Sequence, residues 1–244
     1  MKKTMQQFLE DTRYENMDEP AQARGLPQPP LELPYAGEPS PLPAFDEYAD
    51  KDIPLREALT LRRSVRAYAS TPITQGELSY ALWATQGIRV KRESATFRTV
   101  PSAGARHAFE TLILVNQVAG LQPGLYRYVA SEHGLVALDA PDDVSTRLEK
   151  ACLGQKMVSD AAVTFFWFAD IGRMTYRYGE RGYRYIFLDA GHVSQNLYLV
   201  AEQLGLGTCA IGAFDDNALN AELGLDGEDL FTVYAAPLGK KKPA

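Results

Sequence analysis

The sequence predicts an α+β fold in which helices pack on a mixed, mainly antiparallel sheet. Three observations predict it. Val163-Thr164-Phe165-Phe166-Trp167-Phe168 is almost uniformly apolar, as expected of a central strand covered on both faces. Further β-like runs occur at Thr111–Val118, at Leu125–Val129 with Leu135–Leu138, and at Phe231–Ala236. Ala190, Val193, Leu197, Val200 and Leu204 recur at three- and four-residue steps, the apolar stripe of a helix laid on a sheet. No repeat and no shift in composition divides residues 51–244, which read as one domain.

In chain order, the first 20 residues are polar, with Phe8 and Leu9 as an apolar pair, and suit a short helix. Residues 20–45 carry Pro27, Pro29, Pro30, Pro34, Pro39, Pro41 and Pro43, which fix their own φ and push their neighbours toward extended backbone. The interspersed Leu26, Leu31, Leu33, Tyr35, Leu42 and Phe45 suit a segment lying along a surface. Residues 1–50 are therefore read as a Pro-rich arm; wrapping of a partner subunit and a flexible linker both stay open. Pro54 then sits in the first turn of a helix carrying Leu55, Ala58, Leu59 and Arg62. Thr74-Gln75-Gly76-Glu77 is a capping box opening a second helix, with Leu78, Ala81, Leu82 and Thr85 on one face and Gly87 as its C′ stop. A polar loop runs through Lys91-Arg92-Glu93-Ser94. Helices are expected at Asp143–Leu153 and Leu188–Leu204, and the central strand at Ala161–Ala169.

The composition narrows the function. A formal net charge of −6 argues against a general nucleic-acid binder. Two cysteines, Cys152 and Cys209, far apart in sequence, form neither a disulfide framework nor a metal pair. With three histidines and no ligand-spaced carboxylates or thiols, no metal site is expected. No apolar run has the length of a bilayer span, so a cytoplasmic protein without membrane partners is expected.

Three stretches carry candidate chemistry. Arg62-Arg63-Ser64-Val65-Arg66 puts three guanidinium groups and a hydroxyl within five residues of an acidic chain. Such cations repel one another unless an anion sits between them, and arginine's planar fork suits phosphate; a solvated basic surface is the competing reading. Pro101-Ser102-Ala103-Gly104-Ala105-Arg106-His107 follows with small residues that let a ligand approach the backbone, beside a further arginine. Leu204 to Phe214 turns at Gly205 and Gly207 and reaches Gly212, where a flat ligand would exclude a side chain. Gly205 reads as a helix cap and Cys209 as core. His192 reads as structural, His133 as surface in a hairpin turn, and His107 as the histidine nearest the candidate site.

Arg62-x-Ser64-x-Arg66, Pro101 to Arg106, Leu188-Asp189-Ala190-Gly191-His192-Val193-Ser194-Gln195-Asn196-Leu197 and Gly205-x-Gly207-x-x-x-x-Gly212 together resemble the nitroreductase family of FMN enzymes. The Ser-Ala-Gly-Ala-Arg form, with Pro123 to Tyr128 and Tyr178 to Tyr185, is similar to the SagB-type, thiazole/oxazole dehydrogenase-like branch. The resemblance runs over residues 54–239. It implies an FMN-binding homodimer with each flavin at the subunit interface. Carried over by position, it assigns Arg62, Ser64 and Arg66 to the phosphate and ribityl chain, and Ser102, Ala103 and Gly104 to the ribityl or ring. Arg106 would face the flavin's polar side, Ile211 and Gly212 would bring a backbone N–H to N5, and Lys240 or Lys241 would meet the phosphate. The branch's Lys-Tyr pair, proposed as the base, reads Arg177-Tyr178 here; arginine cannot serve as a general base, so Tyr178 is the remaining catalytic candidate, Arg177 could lower its pKa or hold an anionic substrate, and a solvated Tyr/Arg surface is the competing reading.

The implied activity is FMN-dependent two-electron hydride transfer through N5, acting on a small molecule or a modified peptide. An NAD(P)H-dependent nitro or quinone reductase is the alternative. A non-catalytic scaffold subunit of a peptide-modification complex is the alternative from another class.

Overall fold

The computed structural model describes residues 2–44 and 52–242. Its centre is a seven-stranded sheet in the order β1-β6-β5-β4-β7-β9-β8. These strands are β1 (Ser40–Pro41), β4 (Phe109–Val115), β5 (Gly124–Val129), β6 (Gly134–Ala137), β7 (Val163–Asp170), β8 (Leu206–Thr208) and β9 (Leu230–Lys240). A separate hairpin pairs β2 (Ile88–Lys91) with β3 (Thr96–Arg98). The strands of the large sheet pair antiparallel throughout, and parallel geometry survives only in isolated bridges such as Ser64 with Thr208.

β7 lies between β4 and β9 and is buried at every residue. Its side chains alternate between two cores, as a period of two requires. Phe165 and Trp167 join Ile113, Leu82, Val193 and Leu197 under α3 (Gln75–Gln86) and α7 (Gly182–Gln203). Phe166 and Phe168 join Leu112, Leu148, Val158 and Leu219 under α4 (Val144–Ala151), α5 (Met157–Asp160) and α8 (Asp216–Glu222). Helices thus cover both faces of the sheet. The remaining helices are α1 (Lys2–Asp11), α2 (Leu55–Leu61) and α6 (Ile171–Tyr178).

The Thr74–Glu77 capping box forms as expected, with Glu77 N–H donating to Thr74 Oγ1 at 3.1 Å and Thr74 N–H to the Glu77 carboxylate at 2.9 Å. Gly87 ends that helix for a different reason than a left-handed cap. Its φ is −59°, and a Cβ there would overlap Trp83, so close approach demands the glycine. Gly205 does take the left-handed turn, at φ +67°. The long helix begins at Gly182, not Leu188, and α6 precedes it across Gly179. Tyr- and Arg-rich composition conceals both turns, because the apolar stripe emerges only at Ile186, Ala190 and Val193.

The arm is bound along its own domain. Glu32 Oε1 accepts from Ala130 N–H at 2.7 Å, Leu33 N–H donates to Glu110 at 2.8 Å, and Arg127 donates to the carbonyls of Leu33 and Pro34 at 2.7 and 2.6 Å. β1 then pairs with β6. Phe45 and the expected arm–domain boundary at residues 50 and 51 lie outside the described residues.

Candidate functional site

Residues 62–69 run along the end of the sheet. Val65 N–H donates to Thr208 O at 2.9 Å and Ala69 N–H to Lys240 O at 2.9 Å. Gly207 permits this approach, since a Cβ there would overlap Val65. Ser64 Oγ lies 3.0 Å from the Tyr198 hydroxyl on α7, which also accepts from Ala210 N–H at 2.9 Å. The Arg62 guanidinium sits over the Tyr198 ring at 5.3 Å, a cation–π contact. Tyr198 thus joins the arginine segment to the 208–212 segment. The sequence gives little warning of it, because a tyrosine on the edge of a helical stripe reads as ordinary packing.

Arg66 and Arg63 are exposed, and among the described residues Arg66 has no ion-pair partner. Two of the three C-terminal lysines are already engaged. Lys240 pairs with Glu77 at 2.5 Å and Lys241 with Glu202 at 2.6 Å. Ile211 N–H is likewise spent, donating to Ala235 O at 2.7 Å. Gly212 is exposed, with a Cβ position in only ordinary contact with Tyr234, so nothing in its own chain requires a glycine there. Of the two residues assigned to N5, Gly212 keeps the N–H that a ligand can use.

The second cluster is the turn from Ser102 to His107. Gly104, Ala105 and His107 all have positive φ, at 56°, 52° and 44°. Two are not glycine, so the turn stores strain and needs outside bonds to hold it. Both Asp189 carboxylate oxygens on α7 lie 3.3 Å from Ala103 N–H, and the Ser102 hydroxyl accepts from His107 N–H at 2.9 Å. Burial pushes the Asp189 carboxyl above its usual range, against the Ser102 and Ala103 hydrogen bonds. A Cβ on Gly104 would overlap the Tyr178 hydroxyl and the Arg177 side chain, so the turn and the Arg177-Tyr178 pair meet closely. Tyr178 is half-buried and makes an edge contact with Tyr185 at 4.8 Å, and Arg177 lies over its ring at 5.7 Å.

Arg106 is buried, and three of its five N–H groups are used within the chain. They donate to Gly104 O at 3.2 Å, Gln28 Oε1 at 3.2 Å and Ser94 O at 3.3 Å. Burial first, and then the charge of Arg177, push its guanidinium below its usual range. Two neighbouring cations without a carboxylate between them favour an anion at this spot. A cavity of about 420 Å³ lies against the same turn, lined by Ser102, Ala105, His107, Arg98 and Phe97. A cleft of about 950 Å³ opens between the arm and α6, but none of the sequence-assigned site residues lines it.

His107 is buried and its imidazole is pushed down to about 3, by burial and then by the Arg98 charge. His133 is not a free surface residue. Its two ring nitrogens lie 2.8 Å from the Ser79 and Tyr128 hydroxyls. His192 is half-exposed, 3.9 Å from Asp189. Cys209 is core, as its neighbours imply. Among the described residues no group of His, Cys, Asp or Glu is arranged to hold a metal ion, and no helix is long and apolar enough to cross a membrane.

The two clusters meet α7 at different places. Tyr198 and Asp189 are nine residues apart, about 14 Å along the axis and about two and a half turns around it, hence on opposite faces. Around Asp189 the helix exposes Phe187, Leu188, Gly191 and His192.

Comparison with known proteins bears on what these clusters serve. A model of the nitroreductase family matches residues 59–240. MJ1384 of Methanocaldococcus jannaschii, a protein assigned as a nitroreductase, is 39% identical over 191 residues, which is 78% of this chain and 93% of that protein. The trifolitoxin-processing protein TfxB of Rhizobium leguminosarum bv. trifolii is 31% identical over 157 residues, covering 61% of this chain and 41% of TfxB. Among solved structures, the E. coli microcin synthetase McbBCD complex with truncated pro-MccB17 bound shares the fold, with a TM-score of 0.62 and 16% identity over 86% of this chain and 85% of that one. The family model spans the sheet apart from β1, its covering helices and both clusters, and a relative matches over nearly its whole length: the chain belongs to the nitroreductase family.

Proposed function

We propose that this protein is an FMN-dependent oxidoreductase that acts as a homodimer, with each flavin held between two copies. The observation that carries the reading is the position of the two ligand-binding segments on opposite faces of α7. One flavin reaching an arginine segment and a Ser102 turn then draws them from different chains, across the exposed Phe187–His192 stripe. The residues present fit FMN. Arg62 and Arg66 with the Ser64 hydroxyl suit its phosphate, which needs several cations. Lys240 and Lys241, paired with Glu77 and Glu202, would reach that phosphate only after exchanging partners.

When bound, FMN supplies a two-electron hydride acceptor at N5. The chain supplies the rest. Gly212 offers an N–H toward N5 and leaves room for a flat ring. Ser102 to Gly104 would bring backbone to the flavin, and Arg106 with Arg177 would draw an anionic group to the turn. Tyr178, held against Gly104, would act as the phenolate and take the proton that leaves the substrate as its hydride departs; Arg177, permanently charged, would orient and does not accept protons.

The similarity to TfxB favours dehydrogenation of a modified peptide; the closer identity to MJ1384 favours reduction of nitro or quinone compounds by NAD(P)H. Purified protein distinguishes these readings. We expect a yellow protein with an FMN spectrum. Bleaching by NADPH or NADH and recovery with a quinone support the reductase; bleaching by an azoline-bearing peptide supports the dehydrogenase. A protein that stays colourless with added FMN overturns the cofactor reading and leaves a scaffold role. Tyr178→Phe is expected to keep FMN and lower kcat for peptide oxidation by about 10²-fold, the ordinary scale of general base catalysis; an unchanged kcat removes Tyr178 as the base.

A further inference from the structure

Arg106 belongs to the turn assigned to the flavin, yet its hydrogen bonds tie that turn to the N-terminal arm. Gln28 accepts from Arg106 Nη1 at 3.2 Å through Oε1 and donates to Ser94 O at 3.0 Å through Nε2. Ser94 O also accepts from Arg106 Nη2 at 3.3 Å, closing a three-cornered network. The network joins the arm, the turn after β2 and the Ser102–His107 turn. Gln28 lies outside residues 59–240, the part that matches the family.

The turn needs such support. Positive φ at Ala105 and His107 costs each of them energy that only surrounding contacts can offset. Its carbonyl side is held from below by a buried ionic group. Arg173 donates to His107 O at 3.2 Å and to Glu110, which also pairs with Arg127 at 3.1 Å. Its outer side is held by Arg106, and Arg106 finds its side-chain acceptor on the arm. The arm itself is fixed a few residues later through Glu32, Leu33 and Pro34. Losing the Gln28 side chain therefore removes one of the three hydrogen bonds of Arg106 without releasing the arm.

We propose that Gln28 is a positioning residue for the candidate flavin turn, holding Ser102–His107 in its strained conformation through Arg106. The flavin part rests on the function proposed above; the bracing of the turn does not. Two readouts on the full chain separate them. The first is amide hydrogen exchange at residues 103–107, alongside the global unfolding midpoint. Gln28→Ala is expected to speed exchange there about threefold to tenfold, the scale of one lost hydrogen bond, with an unchanged midpoint. Gln28→Glu, which keeps a charged oxygen for Arg106 but forfeits the Nε2 donor to Ser94 O, is expected to recover part of the slow exchange. Unchanged exchange in Gln28→Ala, or no recovery in Gln28→Glu, overturns the brace.

The second readout is FMN affinity by fluorescence titration. Gln28→Ala is expected to weaken it by about threefold to tenfold and Gln28→Glu to recover it in part. A loosened turn with unchanged FMN affinity overturns the positioning role. Failure of the wild-type chain to bind FMN overturns the proposed function and that role together, while the exchange contrast still decides the brace.

Discussion

Arg66 is the residue on which the cofactor reading depends most directly. It is exposed, lies one β-step from Ser64 and has no ion-pair partner among the described residues. Arg66→Ala is expected to weaken FMN binding by about 1.5–3 kcal/mol, the cost of a hydrogen bond to a charged group, as read by calorimetric titration. His107 makes a different prediction. Its imidazole titrates near 6.5 when unfolded but is held down to about 3 in the fold. The unfolded chain therefore binds the extra proton between those values. Stability from neutral His107 is complete above about pH 6.5 and is lost as pH falls toward 3, by up to about 1.4 kcal/mol per unit. His107→Asn, which tolerates the φ of 44°, is expected to flatten this acid limb in urea unfolding measured across pH. Residue-level legibility was uneven. Arg62, Ser64 and Arg66 could be singled out because charge density is visible in a string of letters. The in-chain bonds of Arg106, Lys240 and Lys241, residues also singled out, could not be read, because they run to Gln28, Glu77 and Glu202, partners remote in sequence.

At the scale of elements, α6 and α7 form the frame that brings Tyr178 to the Ser102 turn. They meet at Gly179, whose φ of 51° and ψ of −147° are open to glycine almost alone. A Cβ there would touch nothing within 4 Å, so any cost of substitution is a backbone cost. Gly179→Ala is expected to destabilise the chain by about 1–3 kcal/mol in urea unfolding, with the loss tracked by the Tyr178–Tyr185 contact. The apolar strands and the stripe of α7 were legible because burial imposes their periods. The first turns of α7 were not, because Tyr183, Arg184 and Tyr185 make their contacts through hydroxyls, rings and guanidinium groups. Arg184 donates to the Leu9 carbonyl at 2.6 Å, and Arg181 to that of Thr12 at 2.6 Å. The arm's course was half legible: its prolines announced extended backbone and its leucines a surface to lie on. That the surface belongs to the same chain follows from Glu110, Arg127 and Arg98, buried charges whose pairing no local pattern reveals.

For the whole molecule, the exposed stripe on α7 sets the expected assembly. Phe187 and Leu188 are 60% and 61% exposed, and Leu55 and Leu59 on α2 are 64% and 54% exposed. Apolar surface of this kind on a folded chain marks an interface. If the proposed dimer forms through this stripe, Phe187→Glu is expected to give monomer in light scattering and, because the proposed flavin site draws on both copies, to lower FMN retention with it. A dimer that persists with full flavin content would place the interface elsewhere. The fold class was readable from the sequence since it depends on which residues are buried; the proposed assembly came into view only by resemblance, since nothing in one chain's hydropathy distinguishes Phe187 facing a second copy from Phe187 facing a core.

The pairing at the two ends of the sheet has a consequence for solubility. An open strand edge is a template on which other chains can add. Here β6 is shut by the two residues of β1, with Pro41 interrupting the donor row, and β8 is shut by the backbone of Ser64 and Val65. The same stretches that serve the candidate site therefore act as guards against edge-to-edge aggregation. The arm and the arginine segment thus carry a second duty, and a shortened chain without β1 would expose the row of hydrogen-bonding groups on β6 that β1 now covers.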